Sequence, residues 1–118
     1  MKISEIKDIL EAEVIFGEHL LEKEALSAFG SDMMSDVLAF VKDQAVLLTG
    51  LVNPQVIRTA EMMDMRCVVF VRNKMPSEDM ISLAADAGIV LMASPIRMFE
   101  ACGRLYVGGL KPNEVSHG

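Results

Sequence analysis

Hydrophobic positions along the chain form three repeats of a buried strand followed by a helix. Continuous apolar runs occur at residues 44–49, 67–71 and 89–93, and such runs are typical of strands buried on both faces of a sheet. An amphipathic helical pattern follows each run. Because a helical return brings the next strand in the same direction, the pattern predicts a mainly parallel sheet.

Cap signals predict where these three helices begin. Asn53 and Ser94 each stand directly before a proline, and Ser77 stands before two acidic residues. Short polar side chains at these positions favour a helix N-terminus because they accept a hydrogen bond from an unpaired backbone N–H. Gly88 is expected to end the second of the three helices.

The first forty residues have a less regular pattern. Residues 2–10 predict an amphipathic helix, residues 12–17 a short strand, and residues 20–29 a second extended segment at a sheet edge. A further helix that includes residues 37–41 follows a turn signal. Either Ser31 or Ser35 is expected to cap it.

Composition bounds the size and setting of the protein. Hydrophobic residues make up 52% of the 118 residues and charged residues 24%, which suits one core. We expect a single α/β domain over residues 1–110, a three-layer sandwich with a mainly parallel sheet flanked by helices, and a disordered tail over 111–118. The net charge of −6 without a basic stripe argues against nucleic acid and membrane partners. The sequence shows no spanning apolar run or signal peptide, so we expect a cytoplasmic protein.

Polar residues follow the predicted strands, where ligands bind in open α/β sheets. Helix N-termini at this edge present unpaired N–H groups to anions. Arg97 is expected to project nearby, and the set suits a carboxylate or phosphate, although helix capping alone also explains Asn53 and Ser94. The residues expected at this edge are Thr49, Gly50, Asn53, Arg72, Asn73 and Ser94.

Signatures of catalysis are missing from the sequence. It contains no P-loop, no G-x-G-x-x-G after a strand, no G-x-S-x-G and no H-E-x-x-H. Cys67 and Cys102 lie in apolar stretches and are expected to be reduced core residues. An enzyme would need a cleft that brings His19 or Glu100 beside the predicted ligand edge. We therefore expect no enzymatic activity, no metal and no cofactor.

The chain has ten methionines, which are common in cores and at adaptable interfaces. Several methionines close together cannot all point inward on one helix, so some are expected to form an exposed face. Such a face would suit a symmetric homodimer. The candidate faces are the helix with Met33 and Met34 and the helix with Met62, Met63 and Met65.

Four segments carry a resemblance to a known family. They are residues 46–50, 67–71, 89–92 and 28–40, the last of which has the sequence Ala-Phe-Gly-Ser-Asp-Met-Met-Ser-Asp-Val-Leu-Ala-Phe. The chain up to Lys111 resembles the DRTGG domain family, in particular its short stand-alone members. The residues after which the family is named differ in this chain. Where other members have Asp-Arg-Thr this chain has Gly-Leu-Val-Asn, and of Thr-Gly-Gly followed by proline only the proline is kept.

The resemblance implies a fold similar to the N-terminal domain of HPr kinase/phosphorylase, without the kinase half, since the P-loop is missing. DRTGG domains also occur in phosphotransacetylases and between the CBS domains of inorganic pyrophosphatases, as regulatory or dimer-forming inserts. Stand-alone members are associated with iron-only hydrogenase and related redox gene clusters. We therefore expect a non-catalytic regulatory or interaction domain, homodimeric and accessory to such a redox system. The alternative is a small-molecule sensor that binds an anionic metabolite or nucleotide at the strand carboxyl edge.

Overall fold

The computed structural model describes residues 1–41 and 44–112, which form one five-stranded sheet with helices on both faces. The helices are α1 (Ile3–Ile9), α2 (Met34–Phe40), α3 (Pro54–Met62), α4 (Glu78–Ala87) and α5 (Met98–Val107). The strands are β1 (Glu13–Phe16), β2 (Ser27–Gly30), β3 (Ala45–Thr49), β4 (Cys67–Phe70) and β5 (Val90–Ala93). A short 3-10 helix spans Glu18–Leu20. Most of the predicted tail, residues 113–118, lies outside the described residues.

The strand order is β1-β5-β4-β3-β2. Strands β2 to β5 run parallel to their neighbours, and β1 pairs with β5 in the antiparallel direction. The prediction of a mainly parallel sheet is confirmed. The carboxyl ends of β2, β3, β4 and β5 therefore lie at one edge of the sheet, where the loops that follow them can meet.

Two cores, one on each face of the sheet, make the fold a three-layer sandwich, as predicted. On one face, Val46 and Val69 pack with the buried side chains of α1 and α5. On the other face, Leu47 and Val68 pack with those of α2, α3 and α4. Every residue of β3, β4 and β5 is buried, which explains the continuous apolar runs in the sequence.

The predicted caps of α3 and α4 are confirmed. The Asn53 side chain accepts a hydrogen bond from the Gln55 N–H at 2.8 Å, and the Ser77 hydroxyl accepts one from the Met80 N–H at 3.3 Å. Gly88 ends α4 with a left-handed φ of 70°, a conformation that glycine adopts without a steric penalty.

The predicted caps of α2 and α5 are wrong. Helix α2 begins after Met33 and α5 after Arg97, and neither residue gives a side-chain cap among the described residues. The reason is local. Ser31 and Ser94 accept hydrogen bonds from the N–H two residues further on, and this pattern stabilises a turn in place of a helix start.

The segment predicted as extended over residues 20–29 is a strand only from Ser27, at the sheet edge. The preceding residues run along the start of α1 instead. The carbonyls of Lys23 and Leu21 accept hydrogen bonds from the N–H groups of Ile3 and Ser4, both at 2.9 Å. These N–H groups belong to the first turn of α1, which leaves its N–H groups unpaired within the helix.

No helix in the described ranges is long and apolar enough to cross a membrane.

Candidate functional site

An open cleft of about 440 Å³ lies at the carboxyl edge of the parallel strands, where the sequence predicts a ligand site. The loops after β2, β3 and β4 form one side, and the start of α5 forms the other. The residues that line it are Gly30, Ser31, Asp32, Gly50, Val71, Arg72, Arg97, Met98 and Phe99.

Arg72 reaches the cleft from a tight turn after β4. Arg72 and Asn73 both adopt left-handed backbone conformations, with φ of 58° and 57°. Two hydrogen bonds hold this turn against the loop after β5: the Arg72 N–H donates to the Ile96 carbonyl at 3.0 Å, and the Asn73 N–H donates to the Ser94 carbonyl at 2.8 Å. Left-handed residues other than glycine are uncommon and concentrate at functional sites.

Gly50 leaves room for the Arg72 guanidinium. A Cβ atom at position 50 would lie only 2.8 Å from Nη2 of Arg72. The residue after β3 must therefore be small for this arginine to lie across the loop.

Asp32 ties the loop after β2 to the loop after β3. Its Oδ1 accepts hydrogen bonds from the Thr49 hydroxyl at 3.0 Å and from the Gly50 N–H at 2.6 Å. The Thr49 oxygen in turn accepts a hydrogen bond from the Leu51 N–H at 3.1 Å. Thr49 is fully buried, so its hydroxyl supports the wall of the cleft from behind.

The cleft has an excess of positive charge. Arg72 and Arg97 are both exposed there, and neither guanidinium forms a hydrogen bond or ion pair with any described residue. Asp32 is the one carboxylate that lines the cleft, and its Oδ1 already accepts two hydrogen bonds from neutral groups. The uncapped N-terminus of α5 adds the positive end of a helix dipole. The arrangement can bind an anion through two guanidinium groups.

The structure separates the other predicted site residues from the cleft. Asn53 caps α3, and Asn73 is exposed outside the lining residues. Ser94 is fully buried; its hydroxyl donates to the Leu10 carbonyl at 2.7 Å and accepts from the Ile96 N–H at 3.1 Å. The Ser94 hydroxyl is therefore inaccessible to solvent, and Ser94 is not among the residues that line the cleft.

The two residues that the catalytic alternative would bring to the cleft, His19 and Glu100, are not among its lining residues. His19 packs edge-on against the ring of Phe16 at a centroid distance of 5.8 Å. Glu100 accepts a hydrogen bond from Nε of Arg104 at 2.9 Å and also lies outside the cleft lining. Within residues 1–41 and 44–112, no group of three or more His, Cys, Asp or Glu side chains could hold a metal ion.

Both cysteines are free, and burial raises the pKa of each thiol. Cys67 is fully buried in β4, as predicted. Cys102 is only half-buried, and its Sγ lies close to Gly30, 2.6 Å from where a Cβ would be at that position. Cys102 therefore takes part in packing α5 against the end of β2.

Native thiol labelling is expected to separate the two cysteines. At pH 8, Cys102 should react with a thiol reagent slowly, because its raised pKa leaves little thiolate, and Cys67 should not react until the protein unfolds. Mass spectrometry of native and urea-unfolded samples measures this. Rapid modification of Cys67 under native conditions would contradict its burial in the sheet.

Comparison with known proteins identifies the fold. The sequence matches no family model and no curated protein. The structure is similar to a solved structure of the CBS and DRTGG domains of the regulatory region of a Clostridium perfringens pyrophosphatase, complexed with the activator diadenosine tetraphosphate. The TM-score is 0.71 at 19% sequence identity, over 93% of this chain and 47% of that one. The chain thus spans about half the length of that regulatory region.

The similarity agrees with the sequence resemblance. The match covers 93% of this chain, and the similar structure contains a DRTGG domain. The expected α/β fold is therefore confirmed, and the chain is consistent with a DRTGG-domain protein. At 19% identity the likeness concerns the fold alone.

Proposed function

We propose that this chain is a non-catalytic regulatory domain of the DRTGG type that binds a phosphate-bearing small molecule, such as a nucleotide, in the cleft at the strand carboxyl edge. The observation that carries this proposal is the pair of guanidinium groups, Arg72 and Arg97, without partners among the described residues and facing one cleft. Guanidinium groups bind phosphate with paired, charge-assisted hydrogen bonds.

Size and surroundings support the same ligand class. A cleft of about 440 Å³ falls within the range of small-molecule sites. The chain as a whole carries a net charge of −6, so a local excess of positive charge stands out against the rest of the protein. The similar pyrophosphatase region was solved with a nucleotide activator, which favours nucleotides among the anions to be tested.

Removing either cleft arginine is expected to weaken binding of the anion about tenfold or more, since a tenfold loss corresponds to about 1.4 kcal/mol, close to the lower end of the usual contribution of a charged hydrogen bond. We suggest isothermal titration of the full chain with ATP, AMP and inorganic phosphate, followed by the variants Arg72→Gln and Arg97→Gln. Arg58→Gln is the matched control, because Arg58 is an exposed arginine of α3 outside the cleft. Equal binding by all three variants, or no binding of any of the three probes by the parent chain, would refute the proposal.

The opposite change is expected at Asp32. Asp32→Asn removes the carboxylate charge, and the amide oxygen can still accept from Thr49 and Gly50. Because a charge a few ångströms from the ligand contributes about 1 kcal/mol in a solvated site, affinity for the same anion should rise roughly fivefold. The same titrations measure this. A fall in affinity with unchanged thermal stability would show that the anion does not lie beside this carboxylate.

The wider setting of the proposal comes from the family resemblance. We place this domain, over residues 1–110, in the cytoplasm, and we propose a protein of an iron-only hydrogenase or related redox system as its regulatory target. Affinity capture with the tagged chain, in the presence and absence of the bound anion, tests that link. Recovery of such a protein in only one of the two states would support ligand-dependent regulation.

Self-association as a homodimer is a second proposed property. It is favoured by the large apolar side chains that α5 exposes, Phe99 and Val107 above all. Symmetric dimers are the commonest oligomers of proteins of this kind.

A further inference from the structure

Helix α5 presents an apolar stripe to the surface. Phe99 and Val107 are 92% and 88% exposed, and Gly103 lies between them at a spacing of four residues on each side. Residues four apart lie on one side of a helix, so the three form a continuous strip, which we call the α5 face. Together with Ile9 of α1, this face lines an open groove of about 700 Å³, larger than the cleft.

The methionine faces predicted from the sequence are less continuous. Met65 is buried, at 3% exposure, and Met34 and Met63 are half-buried against the core. This leaves one strongly exposed methionine on each helix, Met33 at 60% and Met62 at 70%. The neighbouring methionines of both helices pack inward, whereas α2 also exposes Leu38 and Phe40, at 41% and 55%, so a docking face on either helix stays a prediction.

The α5 face is complementary to itself in shape. At Gly103 an added Cβ would have no heavy atom of the described residues within 4 Å, so this position is a shallow gap between two large side chains. In an antiparallel pairing about a two-fold axis at Gly103, Phe99 of one copy lies opposite Val107 of the other. The two glycines meet at the axis, where the absence of side chains allows the helix backbones to approach closely.

The charges beside the face have a matching arrangement. Glu100 and Arg104 lie on one side of the strip, and Arg104 also donates to Glu11 of the same copy at 2.8 Å. A two-fold axis perpendicular to the helices places this flank of both copies on the same side of the interface. The order of residues along the flank is opposite in the two copies. Glu100 of one copy then lies on the same side as Arg104 of the other, so the Arg104 guanidinium, which pairs with Glu100 and Glu11 of its own copy, can extend this charge network across the rim.

We propose that the α5 face is the interface of a two-fold symmetric homodimer, with a second copy of this chain as its occupant. The inference locates the self-association put forward under the proposed function. Two exposed apolar side chains, Phe99 and Val107, form the centre, and the charged residues beside them, Glu100 and Arg104, form the rim. Exposed apolar area of this kind is typical of the centre of an interaction site.

Sedimentation equilibrium of the full chain tests the interface. The parent chain is expected to dimerise with a dissociation constant between about 1 and 100 μM, the range of a small, largely apolar interface. Val107→Ala should weaken dimerisation about tenfold. Met62→Ala is the matched control, because it removes an exposed apolar side chain from α3 and should leave the dimer unchanged.

Gly103→Ala separates a dimer effect from a folding effect. Alanine favours an exposed helix position over glycine, so this variant should unfold at a higher temperature than the parent chain. The added methyl group lies at the proposed axis, so the same variant should dimerise at least tenfold more weakly. A merely structural role for Gly103 would not produce opposite changes in the two measurements.

Crosslinking tests the antiparallel geometry. Gly103→Cys in a Cys102→Ser background should form a disulfide between copies under mild oxidation, since a bridge needs Cα atoms no more than about 7 Å apart. Met62→Cys in the same background should not.

The outcomes distinguish the two proposals. A parent chain that stays monomeric at 100 μM overturns the dimer, whereas a dimer unaffected by Val107→Ala and Gly103→Ala overturns only the α5 face as its interface. Neither result decides whether the chain binds an anion, because Gly103 and Val107 lie outside the cleft lining and binding can be measured separately on the same samples.

Discussion

Replacing Phe70 with alanine is expected to lower the free energy of unfolding by about 3–5 kcal/mol. Phe70 is fully buried at the end of β4, the central strand of the sheet, and packs in the core shared with α2, α3 and α4. The substitution removes a large apolar side chain and leaves a cavity that the surrounding strands cannot fill. Urea unfolding followed by circular dichroism measures the loss. Since the free energy of unfolding of a small domain is about 5–15 kcal/mol, the variant should be close to unfolding at 37 °C.

Phe99→Ala provides the control for this substitution. The same atoms are removed from a side chain that is 92% exposed, so the stability measured at low protein concentration should change by less than about 0.5 kcal/mol. Comparable losses for the two variants would mean that Phe99 is not exposed in the folded monomer, and would contradict the description of the α5 face.

Ser94→Ala is expected to lower the free energy of unfolding by about 2–3 kcal/mol. The Ser94 hydroxyl bonds both the Leu10 carbonyl and the Ile96 N–H in a fully buried environment. Alanine leaves these groups without this partner, and an unpaired buried polar group costs about 1–3 kcal/mol. The contact also joins the end of α1 to the loop after β5, so the loss should appear in a single cooperative transition. Urea unfolding measures it.

The matched control is Ser82→Ala, an exposed serine of α4, which should change stability by less than about 0.5 kcal/mol. Folded Ser94→Ala protein should bind the anion as the parent chain does, because the hydroxyl is inaccessible from the cleft. A variant with normal stability and impaired binding would instead indicate that Ser94 takes part in the ligand site, as its position after a strand predicts.

The parallel part of the sheet could be predicted because its strands are apolar on both faces. In β3, β4 and β5 no residue faces solvent. Continuous apolar runs between helical patterns are typical of a parallel sheet that helices cover on both faces. The strand order could not be predicted, since β1 and β2 are short and partly exposed. The prediction of an extended segment before β2 uses only the residues of that segment. Its backbone partners are the N–H groups of Ile3 and Ser4 in α1, which the local pattern does not reveal.

The cleft could be predicted only in part. Gly50 directly follows β3, and Arg72 directly follows the apolar run at residues 67–71, so both fall at the sheet edge once those strands are recognised. Asp32 was not predicted, although Gly30-Ser31-Asp32 is a turn signal, because its role requires knowing that β2 lies parallel to β3. Phe99 is one of the apolar residues of the helical pattern that follows the last strand. Periodicity alone does not distinguish an apolar residue that packs inward from one that faces solvent.

Phe99 has one further consequence, since it lines the cleft as well as the groove of the α5 face. A change in the position of its ring would alter the shape of both surfaces. If the anion binds monomer and dimer with different affinities, thermodynamic linkage requires that it shift the dimerisation constant by the same ratio. The concentration at which the chain is expressed would then tune its response to the anion.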